Sequence, residues 1–221
     1  MINSKPQLAQ KKRKILGPTG RLLLKAFNWK IEGEIPNLKK MILIGLPHTA
    51  MRDAWYALLA VWALDLKINF FGAAWVFTRL PSLFTISKNL DRLGVPWPLW
   101  WVQKYLMLKL GGIPVYRTNS KGMIYGAIEE FKELENYILV IAPEAGTEPV
   151  AKFRSGFYFL AKGLNIPYVP IEIDFKNRRF KIHQYKYVQG SFEEESDKII
   201  NLFTGVEGCL LYTSPSPRDR G

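Results

Sequence analysis

Met41-Ile42-Leu43-Ile44-Gly45-Leu46-Pro47-His48-Thr49-Ala50-Met51-Arg52-Asp53 joins a short apolar run to a polar loop. Helix formers follow, Ala54-Trp55-Tyr56-Ala57-Leu58-Leu59-Ala60. An apolar run this short, bounded by Gly45 and Pro47, predicts a buried strand over 39–46. His48 therefore falls where a strand stops and a helix starts, with Thr49 placed as the N-cap. Asp53, five residues on, lies in the first turns of that helix. Its carboxylate could accept the Nδ1 proton of His48 and leave Nε2 as a base, the orienting arrangement of hydrolases. The plainer alternative is a capping histidine with a solvated aspartate.

Working outward, the same pattern recurs. Tyr137-Ile138-Leu139-Val140-Ile141-Ala142 is a continuous apolar run of the kind found inside parallel sheets, and it ends in Pro143-Glu144-Ala145-Gly146-Thr147. Lys152 and Arg154 add two cations before a helix over 157–162. Leu110-Gly111-Gly112-Ile113-Pro114-Val115-Tyr116-Arg117 carries paired glycines, which allow a turn or a close backbone approach, and ends on an arginine. Asn165 to Ile173 is a proline-bracketed strand, and residues 27–35 alternate as another. Residues 54–64 are expected as a helix, 67–71 as a strand with a turn at Gly72, 81–95 as a surface excursion and 121–136 as an amphipathic helix. Arg178 to Tyr187 alternates as an edge strand, on which His183 stands among cations and is expected to be solvated, without a role. Strands alternating with helices predict a single α/β domain with a mixed, largely parallel central sheet flanked by helices.

Composition narrows the partner. Lys and Arg number 31 against 19 acids, a net charge of +12 over 221 residues. Such a surplus suits an anionic partner: nucleic acid, a phosphorylated metabolite or a membrane surface. Seven Trp, ten Tyr and thirteen Phe favour the membrane, since amphipathic rings collect at headgroup depth. Base stacking is their rival use. Residues 11–29 interleave Lys and Arg with Leu, Phe27 and Trp29, as in an interfacial helix, or else form a solvated tail. Trp97, Trp100 and Trp101 either pack internally or form a lipid-facing lip. The longest uncharged apolar run, 54–64, is short of the roughly 20 residues that span a bilayer. One cysteine, Cys209, allows no internal disulfide and suits a reducing compartment. No cluster of His and Cys is spaced to hold a metal.

Three strand-end motifs thus stand in order, His48 to Asp53, Gly111 to Arg117 and Glu144 to Thr147, followed by Ile166-Pro167-Tyr168-Val169-Pro170. This series resembles the glycerophospholipid acyltransferases, in particular the 1-acyl-glycerol-3-phosphate (lysophosphatidate) acyltransferase family, over residues 20–185. The resemblance implies transfer of a fatty acyl group from acyl-CoA or acyl-carrier protein to the hydroxyl of a lysophospholipid, in phospholipid biosynthesis. It makes His48 the base and Asp53 its orienting carboxylate. Arg117 would hold the acceptor's phosphate, Gly112 would sit in the same motif, and Glu144, Gly146 and Thr147 would bind the glycerol and phosphate end. Pro167 and Pro170 would shape the acyl-chain side. In the family the third motif reads Glu-Gly-Thr and then Arg. Here Ala145 is interposed and Glu148 takes the place of the arginine, so Lys152 or Arg154 is expected to supply the charge. Arg52 also stands where relatives carry an aromatic, and a lyso-ornithine lipid is an alternative acceptor.

No cofactor or metal is implied beyond the donor as substrate. The expected partners are the lysolipid, the donor and an anionic membrane surface, not nucleic acid. The expected location is peripheral, on the cytoplasmic face of a membrane. A lipid-remodelling transacylase or hydrolase would use the same base, and a basic lipid- or nucleic-acid-binding protein is the non-enzymatic alternative. In outline, residues 1–28 form a basic N-terminal segment and 29–208 the acyltransferase domain. Residues 209–221 read as a non-native tail resembling translated adapter sequence.

Overall fold

The structure, a computed structural model, describes residues 8–9, 12–47, 51–80, 94–115, 120–144, 153–203 and 206, with side chains described at all of these except 51, 52, 120 and 121. In chain order the elements are α1 (Leu16–Ala26), β1 (Lys30–Glu32), β2 (Lys40–Leu46), α2 (Met51–Ala63), β3 (Ile68–Ala73), a 3-10 turn (Ala74–Phe77), β4 (Arg79–Leu80) and β5 (Val95–Pro96). Then follow α3 (Trp100–Lys109), β6 (Gly112–Val115), α4 (Ser120–Lys132), β7 (Tyr137–Ile141), α5 (Gly156–Leu164), β8 (Tyr168–Asp174), β9 (Arg179–Ile182) and α6 (Phe192–Leu202). The expected class, α/β with a mixed, largely parallel sheet flanked by helices, is what this arrangement is. Its contacts group into two compact units, residues 1–67 with 135–221, and residues 68–134.

In the first unit β2 is central. It pairs in parallel with β7 on one side, Lys40 to Ile44 opposite Tyr137 to Ile141, and with β8 on the other, Ile42 to Leu46 opposite Tyr168 to Glu172. A strand flanked on both sides and covered on both faces must be apolar throughout, and Met41, Ile42, Leu43 and Ile44 are all buried. β8 continues outward to β9 in antiparallel pairing, and β9 to β1 in parallel. So β9 is not the edge strand its alternation suggests: β1 lies outside it. β1 is also shorter than its alternating sequence suggests.

Side chains on successive strand residues point to opposite faces, and β8 uses both. Ile173 joins Leu24, Trp29, Leu59, Ala60, Ala63 and Phe180 in a core beneath α1 and α2. Tyr168, five residues earlier and so on the other face, packs edge-on to Phe157 of α5 and bonds Glu195 of α6. α1 meets α2 closely because Gly20 faces it: a Cβ there would stand 2.8 Å from the Leu59 carbonyl and the Ala63 nitrogen. The described part of the N-terminal segment is held, not frayed. Lys67 N donates to Ala9 O at 2.9 Å, and Arg13 N donates to Asp65 Oδ1 at the same distance.

In the second unit β3 and β6 pair in parallel, Phe70 to Ala73 opposite Gly112 to Val115. Gly72 is therefore inside a strand and not at a turn. β4 and β5 form a short antiparallel pair. Gln103 ties α3 to the preceding chain, its Nε2 donating to Val76 O at 2.7 Å and Arg79 O at 3.0 Å while its Oε1 accepts from Trp97 Nε1. Most of the 81–95 excursion lies outside the described residues.

Candidate active site

Open α/β sheets bind ligands beyond the carboxyl ends of their strands. Here β2 ends at Leu46 and α2 begins at Met51, so the strand end and the helix start expected from the sequence are both present. Asp53 lies in the first turn of α2, and its side chain is fully buried. A carboxylate rarely goes so deep without a dedicated role in holding another group. His48 itself, with Thr49, lies outside the described residues.

The next strand delivers a second carboxylate to the same edge. Ile141 of β7 stands opposite Ile44 of β2, and three residues later comes Glu144, half-buried in a turn. The Arg154 N–H donates to Pro143 O at 2.8 Å, which brings Arg154, with an exposed side chain, beside the Glu144 turn. Gly146, Thr147 and Lys152, between these two, lie outside the described residues. So does Arg117.

Three other expected positions lie within the described strands or beside them. Gly112 opens β6 and is buried: a Cβ there would come within 2.8 Å of Met107 O and of the Phe77 ring, so its lack of a side chain already has a packing reason. Pro167 stands at the amino end of β8, where its carbonyl accepts from Ile42 N at 3.0 Å. That is roughly 16 Å along the ladder from the level of Leu46, at about 3.3 Å per residue. Pro170 is buried at mid-strand opposite Ile44.

One group at this edge was missed by sequence reasoning. Glu172 is directly opposite Leu46 and buried. Its Oε1 lies 2.7 Å from His183 Nε2 and 3.5 Å from Lys181 Nζ, and its Oε2 is 3.6 Å from Arg179 Nη2. His183 is thus not solvated: its side chain is 16% exposed and engaged with a buried acid. The signal was present in the alternation of 179–183, which puts Arg179, Lys181 and His183 on one face. What was missing was the antiparallel partner that carries the acid. Asp174 belongs to the same set, accepting from Arg179 Nε at 3.2 Å and from Asn177. Burial by itself would raise the Asp174 carboxyl, but the Asn177 and Arg179 donors outweigh it and hold it below the usual carboxylate range.

This is an α/β sheet with Asp53 and Glu144 following the carboxyl ends of β2 and β7, and with Glu172 of β8 paired to basic side chains of β9. No family model and no curated protein sequence matches the chain. Among solved structures its fold is similar to that of the 1-acyl-sn-glycerophosphate (LPA) acyltransferase PlsC from Thermotoga maritima, with a TM-score of 0.51. The two are 15% identical, and the match covers 86% of this chain and 75% of that one. Among the described residues no helix is long and apolar enough to cross a membrane, and no group of acids, His or Cys is placed to hold a metal.

Proposed function

We propose that this protein is an O-acyltransferase that moves a fatty acyl group from a thioester donor, acyl-CoA or acyl-carrier protein, to the hydroxyl of a lysophospholipid such as 1-acyl-glycerol-3-phosphate. The observation that carries this reading is the buried Asp53 in the first turn of α2, five residues after His48, in a fold similar to an LPA acyltransferase. His48 Nε2 takes the proton of the acceptor hydroxyl while Asp53 orients the ring and stabilises the imidazolium. The alkoxide oxygen bonds to the thioester carbonyl carbon, the C–S bond breaks, and the His48 proton goes to the leaving thiolate. Arg117 is the clamp for the acceptor's phosphate, suited by its planar pair of donors. Glu144, Gly146 and Thr147 bind the glycerol end, with Lys152 and Arg154 supplying positive charge. The lipid substrate places the protein peripherally on an anionic membrane surface, within phospholipid biosynthesis.

The test is release of free thiol from acyl-CoA in the presence of lysophosphatidate, with acyl-carrier-protein donor and other lysolipids as parallel arms. Acceptor-dependent release by the wild type, abolished in His48→Ala with an unchanged circular dichroism spectrum, is the expected result. Thiol release independent of any acceptor would replace the transferase with a hydrolase, and no release with any pair of substrates would overturn the reading.

A further inference from the structure

None of the side chains of α3 is buried, and those on its outer side share one chemistry. Gln103, bonded to the Val76 and Arg79 carbonyls, marks the inward side of the helix. At about 100° per residue, Trp101, Tyr105 and Leu108 fall within an arc of about 60° opposite Gln103. They are 59%, 59% and 46% exposed. Lys104 and Lys109 fall on either side of this arc, both exposed, and Lys109 Nζ lies 3.3 Å from Tyr105 Oη. No acid occurs from Val95 to Leu110.

Trp100 and Leu106, 47% and 51% exposed, extend the apolar surface beyond this arc on both sides. A broad aromatic and aliphatic surface carrying lysines and no acid suits the headgroup layer. The rings sit at the polar–apolar boundary and the lysine stems run along apolar surface with their ammonium groups at the phosphates. A protein partner would need acids to match these lysines, whereas an anionic lipid surface matches them everywhere. We propose that the Trp101–Tyr105–Leu108 face of α3 docks this protein on an anionic phospholipid bilayer. This deepens the acyltransferase reading, on which the need to meet a lysolipid-bearing surface rests.

The experiment is sedimentation of the full chain with vesicles of equal parts phosphatidylglycerol and phosphatidylcholine, and with phosphatidylcholine alone. The wild type is expected to bind the mixed vesicles, and Trp101→Ala/Tyr105→Ala/Leu108→Ala to bind at least about tenfold more weakly. Lys104→Gln and Lys109→Gln should each weaken binding about fivefold, on anionic vesicles only. All three changes are at exposed positions, and an unchanged circular dichroism spectrum checks the fold. Wild-type binding by the triple variant, or no vesicle binding by the wild type, would overturn the proposal. So would a triple variant whose only change is conversion from dimer to monomer, since the face would then join two copies. Thiol release measured with monomeric, short-chain substrates separates the two readings. If it is retained in the triple variant while vesicle binding is lost, both stand. If it is absent even in the wild type while vesicle binding still depends on α3, the acyltransferase reading alone fails.

Discussion

Tyr168 Oη donates to Glu195 Oε2 across 2.6 Å, a buried hydrogen bond that joins β8 to α6. Glu195 also accepts from Lys198 at 2.8 Å. Tyr168→Phe removes the donor and leaves a buried carboxylate oxygen short of a partner, so a loss of about 1–3 kcal/mol is expected. Urea denaturation reads it. A loss below a few tenths of a kcal/mol would mean that the Lys198 contact satisfies Glu195 alone.

Acid should weaken the fold through the same network. Burial alone would raise the Glu195 carboxyl, yet the donors from Lys198, Tyr168 and the Gln189 N–H outweigh it and hold it below the usual range; Asp174 behaves alike. A carboxyl depressed in the folded state contributes stability that is fully present above its unfolded value. That stability is lost as pH falls through the folded value. Melting temperature is therefore expected to fall as pH drops below the ordinary carboxylate range of about 4, and Glu195→Gln to flatten that fall. An equally steep fall in Glu195→Gln would assign the effect to other groups. At the alkaline end, burial pushes the Tyr137 phenol up to about 12, so it stays protonated in any ordinary assay.

Asp53→Asn tests the orienting role apart from the fold. The substitution keeps size and burial but removes the charge that favours the imidazolium, so turnover should drop by about 10²–10⁴ with little change in KM. Retention of most of the wild-type turnover would remove Asp53 from the mechanism.

Gly111 has φ +94°, and a Cβ there would lie 2.0 Å from Ile68 O. Gly111→Ala therefore meets both the left-handed backbone cost of about 1–2 kcal/mol and a clash with backbone that cannot swing aside. The turn that feeds β6 alongside β3 should be disrupted, giving a lower melting temperature and faster amide exchange over 68–73 and 112–115. Exchange rates equal to wild type there would show that the turn accommodates the methyl group.

Much of this architecture could be read from order along the chain. β2, α2, β7 and β8 came within a few residues of their expected bounds, because a short apolar run closed by Gly or Pro is a local signal. The carboxyl-edge placement of Asp53 and Glu144 followed directly from where those runs stop. Other positions were not legible. Alternation over 178–187 suggests an edge strand, but alternation reports only that two faces differ, and β1 pairs with the far side of β9. The cationic chain neighbours of His183 suggest that it is solvated. Its partner, Glu172, is eleven residues away and is brought to it only by the antiparallel register of β8 and β9.

The sequence by itself determined β2, α2, β7 and β8 and the chemistry that stands at their ends, since period and chain-breaking residues act over a few positions. Only the tertiary structure decided which strands are neighbours, that Glu172 and Asp53 are buried, and that Trp101, Tyr105 and Leu108 of α3 are exposed. Those properties depend on contacts between segments distant in the chain, where the free energy of pairing and burial, not local propensity, selects the partner.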